Sequence, residues 1–127
     1  VVDSGGSYTY SQVVWESRAL AYKLLNTCVK AFSAEPVVCR LVRDRRWYAL
    51  YVATMRCGVP FMPLSVADLG DPKAELKRAT EVFSIFNVQL YVQDPDTVDA
   101  ETIANLAEKV PNVDFQQLSF WPENFPP

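Results

Sequence analysis

Eighteen residues in the middle of the chain, Trp47–Leu64 (WYALYVATMRCGVPFMPL), carry a single charge, at Arg56. Their pattern predicts a helix apolar on every side, a stop at Gly58, and a short strand with almost no polar residue. A helix that is apolar all round is buried on all sides. A strand without alternation is buried on both faces, as in a parallel sheet. The stretch therefore reads as the centre of an α/β layer, and the flanking segments read as its cover.

The flanks fit that role. Ser7–Tyr10 (SYTY) follows a Gly pair and reads as a short strand, with Ser11 capping the next helix. Apolar residues at 13, 14, 20, 21, 24, 25 and 28 predict a helix of about five turns, ending near Lys30. Trp15, Ala19 and Tyr22 add a second apolar line and widen its buried face. Val37–Val42 is a β-branched run between Pro36 and Asp44, hence a strand. Asp44 is the N-cap and Gly58 the C′ residue of a helix of about 13 residues. Phe61–Leu64 is the next strand, kept short or irregular by Pro60 and Pro63.

Asp71-Pro72 opens a third helix, with Pro at its first position. Its stripe is Leu76, Ala79, Val82, Phe83 and Phe86, and Asn87 is its left-handed stop. Val88–Val92 is a strand with alternation at Val88, Leu90 and Val92, and Asp94-Pro95-Asp96 is a turn. A helix over Asp99–Lys109 buries Ile103, Leu106 and Ala107. A last strand falls within Val113–Phe120. The tail Phe120–Pro127 mixes aromatics with prolines and suits neither a helix nor a central strand. Strands thus alternate with helices, which predicts a three-layer α/β sandwich: a mainly parallel sheet, helices on both faces and right-handed crossovers.

The 127 residues suit one domain or part of one. The chain opens Val1-Val2-Asp3 without an initiator Met, and is read as part of a longer protein. A formal charge of −3 argues against a nucleic-acid partner. No apolar run reaches the ~20 residues that span a bilayer. Cys28, Cys39 and Cys57 form no CxxC pair and sit in apolar contexts, which favours a reduced, cytoplasmic setting. There is no His, so Ser-His-acid and Cys-His catalysis and most zinc sites are removed. No metal site is expected.

Three groups invite a functional reading, and each has a plainer one. Arg40, Arg43, Arg45 and Arg46 lie where a parallel sheet binds anions, at a strand's carboxyl end. The plainer reading is a solvated loop. Yet Arg45 and Arg46 fall in a first helical turn, where the dipole disfavours cations, so something else must stabilise them. Asp94, Asp96, Asp99 and Glu101 resemble a calcium loop but fail its spacing, with Val98 and Asp99 at the wrong positions. A turn and an acid-rich helix start explain all four. Trp47, Tyr48, Tyr51, Phe83 and Phe86 could line an apolar pocket, but core is the simpler assignment. Trp121 and Phe125 in the tail suit packing against a neighbour. Gly5-Gly6 is a turn; no GxGxxG or GxxxxGK[ST] exists, so no phosphate cradle is recognisable.

The order of two motifs resembles the adenylate-forming (AMP-binding) enzyme superfamily, which includes acyl-CoA synthetases, peptide-synthetase adenylation domains and luciferases. Tyr8-Thr9-Tyr10-Ser11-Gln12-Val13 is similar to its first core motif, L-[TS]-Y-x-E-L. Met55–Leu64 (MRCGVPFMPL) is similar to its second, L-K-A-G-x-A-Y-[VL]-P-[LI]-D. Gln12, Val13, Pro60 and Ser65 depart from the consensus Glu, Leu, Ala and Asp, none of them catalytic in the family.

The resemblance implies the N-terminal α/β part of such an enzyme, covering residues 1–127. In the parent it implies ATP, Mg and a small carboxylic acid, with CoA or phosphopantetheine as acceptor, as in fatty acid metabolism. The phosphate-binding loop, the ribose-binding Asp and the catalytic Lys of the family lie beyond the matched motifs. No catalytic or cofactor-binding residue is therefore assigned here. The segment is expected to be catalytically incomplete, to bind no cofactor alone, and to need the remainder of the enzyme as partner. The alternatives are a stand-alone flavodoxin-like binding or interaction module, and a degenerate adenylation-like domain.

Overall fold

Thr9, not Ser11, caps the first long helix. The Thr9 Oγ1 accepts the Gln12 N–H at 3.1 Å, and Gln12 Oε1 accepts the Thr9 N–H at 2.8 Å. This reciprocal box starts α1 at Tyr10 and carries it to Thr27. Gln12 thus performs the capping that a Glu would. The expected strand over Ser7–Tyr10 is replaced by an antiparallel pair, β1 (Val2–Asp3) and β2 (Gly6–Ser7). The helix stops three residues short of Lys30 because Cys28 and Val29 both donate their N–H to the Leu24 carbonyl.

The computed structural model describes residues 2–3, 6–7, 9–64, 72–94, 100–110 and 113–117. After α1 come β3 (Val37–Arg40), α2 (Arg45–Cys57), β4 (Phe61–Pro63), α3 (Pro72–Ile85), β5 (Leu90–Gln93), α4 (Ala100–Lys109) and β6 (Asp114–Gln117). The main sheet has the order β4-β3-β5-β6. All three of its pairings are parallel. Helices α1 and α2 pack on the face that carries Val37, Cys39, Leu90 and Val92. Helices α3 and α4 pack on the face that carries Val38 and Tyr91. This is the three-layer α/β architecture that the alternation implies.

Asp44 and Gly58 delimit α2 as expected. Asp44 accepts the Arg46 N–H, and Gly58 sits in the left-handed region at φ 71°. A Cβ at Gly58 would run into the Phe32 ring, so glycine is required there twice over. Phe32 is the one non-glycine with positive φ among the described residues. Asn87 is therefore no left-handed stop; α3 ends at Ile85.

The central expectation is half corrected. Helix α2 is not buried all round: Trp47, Leu50 and Ala53 face the sheet, while Tyr51 is 42% and Met55 62% exposed. One layer covers it and nothing described covers its outer side. Strand β4 is an edge, not a centre: Phe61 and Met62 are only partly buried and Pro63 is exposed. That position also explains how Pro60 and Pro63 are tolerated, since an edge strand needs donors on one side alone. The centre is β3 and β5, in which all eight residues are buried. The alternation read for β5 is therefore absent.

Other departures are smaller. Tyr22 and Ala19 face solvent, so α1 buries one stripe, Val13, Glu16, Ser17, Leu20, Ala21 and Leu24. Ala107 is exposed, leaving Leu106 to anchor α4. The last strand is the four-residue β6. Asp71, the Asp94 turn beyond its first residue, and the tail from Leu118 lie outside the described residues.

Candidate functional site

A doubly wound sheet binds ligands where its strand order reverses, at the carboxyl ends of the two strands that diverge. Here the chain leaves β3 for β4 on one side and returns to β5 on the other. The switch point is therefore the gap between the ends of β3 and β5. In that register Arg40 stands opposite Gln93, which stands opposite Gln117.

A side-chain network spans the gap. Arg46, in the first turn of α2, donates from Nε and Nη2 to Asp44 Oδ2 at 3.1 and 2.7 Å. Its Nη2 also donates to Asp94 Oδ2 at 2.5 Å, just past the end of β5. Burial by itself would lower the Arg46 pKa. The hydrogen bonds and charges of Asp44 and Asp94 outweigh it and hold the guanidinium above its usual range. This is what stabilises a cation at a helix start: two carboxylates offset the dipole.

The arginine cluster is thus not one solvated loop, because its members are buried and partnered to different degrees. Arg40 is 2% exposed within the sheet. Arg43 lies over the Trp47 ring, 4.7 Å from its centroid. The charge of Arg45 acts on Glu16. Only Arg43 is exposed, and Arg46 is already shared between two anions. Asp94 is likewise no member of an exposed acid turn, being 3% exposed and ion-paired. Asp96 and Asp99 lie outside the described residues, and Glu101 is exposed. Among the described residues no group of three or more Cys, Asp or Glu could hold a metal.

Two polar residues escaped the sequence reading. Gln93 is fully buried, and among the described residues neither its Oε1 nor its Nε2 has a hydrogen-bond partner. By strand alternation it lies on the α3/α4 face with Tyr91. Glu16 is 2% exposed between α1 and α2. Burial pushes its carboxyl up to about 7, against the lowering charges of Arg45 and Lys23. Its position three after Val13 and four before Leu20 was the available signal, because that spacing puts it on the buried stripe.

The cysteines are free. Burial raises the thiol pKa of all three, that of Cys39 to about 12, so none is a nucleophile near neutrality. The aromatics divide. Phe83 packs edge-on against Tyr91 and Phe115 in the core, while Phe86 is 42% exposed. Trp47, Tyr51 and Phe61 stack with centroids 5.3–5.6 Å apart. They line an open cleft of about 380 Å³ between α2 and β4. A larger cleft, about 540 Å³, opens at the amino edge beside Phe86 and Asn87. Its polar groups Asn87 and Gln89 are already bonded to Glu35, and it lies at the wrong end of the strands for the ligand position of such a sheet. The switch point is sealed by an ion pair, and no nucleophile or phosphate cradle stands near it among the described residues.

Solved structures carry the same arrangement of strands and helices. ATP-bound MatB from Rhodopseudomonas palustris is 21% identical, with a TM-score of 0.71, over 91% of this chain and 21% of its own. VinN in complex with L-aspartate is 20% identical, with a TM-score of 0.68, over 92% of this chain and 27% of its own. A benzoate CoA ligase from Burkholderia xenovorans is 13% identical, with a TM-score of 0.66, over 95% of this chain and 22% of its own. The fold is that of the matched part of these three proteins. No family model and no curated protein matches the sequence. The chain spans under a third of the length of each of these structures. Among the described residues no helix is long and apolar enough to cross a membrane.

Proposed function

We propose that this chain is the N-terminal scaffold of an ATP-dependent enzyme that adenylates a small carboxylic acid and passes it to a thiol. The supporting observation is the coverage asymmetry: 91% of this chain superposes on 21% of an ATP-bound enzyme. The sealed switch point supports the catalytic incompleteness of the segment. Phosphoryl chemistry requires preorganised donors around the phosphates, and Arg46 is engaged by Asp44 and Asp94. The same seal speaks against a stand-alone flavodoxin-like binding module, which would need that crevice open. ATP with Mg, and CoA or phosphopantetheine, belong to the parent on this reading, with residues outside this segment holding them.

The test is acid-dependent ATP–pyrophosphate exchange. The 127 residues alone give no exchange with aliphatic, aromatic or amino acids. The protein expressed with whatever coding sequence adjoins this segment does give it, with at least one acid class. Exchange by the segment alone would overturn the scaffold assignment. A blank with the extended protein across all classes would overturn adenylation.

A further inference from the structure

Strand β4 ends the sheet, and among the described residues no strand pairs with its outer side. An open edge presents a row of unpaired N–H and C=O groups on which another strand can add. Charged side chains are a common guard against that, and β4 has none. Phe61, Met62 and Pro63 are apolar, as are Val59, Pro60 and Leu64 beside them. The exposed Tyr51 and Met55 of α2 line one cleft with Phe61 and Pro63, so the apolar surface continues beyond the strand. An edge of this composition invites self-association unless its backbone is blocked.

The hydrogen bonds show where the block falls. Along a strand the N–H and C=O of successive residues point to opposite edges in turn. The Val37 N–H donates to the Pro60 carbonyl at 2.9 Å, and the Leu64 N–H donates to the Cys39 carbonyl at 2.8 Å. Positions 60, 62 and 64 therefore turn their polar groups to β3, and positions 61 and 63 turn theirs outward. Position 63 is an exposed proline and has no N–H. Just before the strand, the Val59 N–H is taken by the Thr54 carbonyl. Across Val59–Leu64, Phe61 alone keeps an outward donor.

We infer that Pro63 closes the β4 edge to strand addition and so keeps a second copy of this chain from pairing there. An incoming strand bonds to the edge at 61 and 63. With proline at 63 it meets one donor where the ladder needs two, and the ring fills the space in front of the missing N–H. Pro60 has the same chemistry and no such role, because its position faces β3. Register assigns the role, and residue type alone does not. The closure is independent of adenylation.

Sedimentation equilibrium of the full chain over a concentration series tests this. Pro63→Ala supplies the missing donor and adds no apolar surface. Across a two-fold pair of β4 edges it adds two hydrogen bonds, so self-association tightens about tenfold to a hundredfold relative to the unaltered chain. Pro60→Ala makes the same exchange at an inward position and leaves self-association unchanged. Pro63→Val, whose side chain suits a strand better, tightens it at least as far as Pro63→Ala. In Pro63→Ala the Phe61 amide exchanges its hydrogen more slowly as concentration rises, because it too gains a partner. Equal self-association by Pro63→Ala and the unaltered chain overturns the inference. So does an equal rise in Pro60→Ala, which traces the effect to a loosened fold. A Phe61 amide that is not slowed also overturns it, by placing the contact elsewhere.

Discussion

The two faces of the central sheet share the same strands and are finished differently. On the α1/α2 face fifteen described residues are buried in one continuous cluster. On the α3/α4 face five described residues are buried and six more are partly covered, against two partly covered on the first. The first is mainly aliphatic, anchored by Leu50 and Ala53 at no exposure, with Trp47 at its margin. The second is aromatic, built on Phe83, Tyr91 and Phe115 meeting edge-on. Each face also buries a polar misfit, Glu16 on the first and Gln93 on the second. Among the described residues, hydrocarbon burial is the greater on the α1/α2 side.

The contrast can be broken by core truncation. Leu50→Ala should cost about 3–4 kcal/mol, as a fully buried leucine that leaves a cavity. Val82→Ala, on the partly covered face, should cost about 1 kcal/mol. Urea unfolding followed by circular dichroism measures both, and equal costs would end the distinction between the faces. Next in size is the seal between β3 and β5. Asp94→Ala leaves Arg46 one carboxylate short at a site where the lost partner is 4% exposed. A loss of about 2–3 kcal/mol is expected, read from the same unfolding curves. If Arg46→Met with Asp94→Leu is less stable than Asp94→Ala alone, the pair is more than a matched desolvation cost.

The two polar misfits sharpen the comparison further. Gln93→Met keeps the volume and removes two unpaired buried atoms, so it should stabilise this chain by about 1 kcal/mol. A destabilisation of that size by thermal melting would mean that the amide has a partner in solution. The gentlest probe is pH. The folded Glu16 carboxyl titrates near 7 against an ordinary 4.5, so the folded state holds this proton more tightly than the unfolded one. That contribution is fully present below 4.5 and is lost as pH rises through about 7. Stability should fall across this window, and Glu16→Gln should flatten the fall. An unchanged slope in the variant, by melting at stepped pH, would place the titration elsewhere.

Much of the fold was legible because its signals are local. Asp44 before a helical period and Gly58 after it end α2 on hydrogen bonds within a few residues of each end. The resemblance of Tyr8–Val13 and Met55–Leu64 to two motifs was readable for the same reason. The site was less legible. Arg46 and Asp94 are 48 residues apart, and each looked like a member of its own local charge run. Glu16 went unread in the sequence, because its burial depends on how α1 packs in the fold.

What the sequence settled by itself was the alternation of strands and helices, and with it a parallel sheet, because side-chain period and end caps are short-range. What the tertiary structure alone decided was which strand became central. The most apolar stretch, Trp47–Leu64, went to an edge and kept one side of its helix open. Hydrophobicity fixes how much surface must be covered, but crossover order fixes which neighbour is there to cover it.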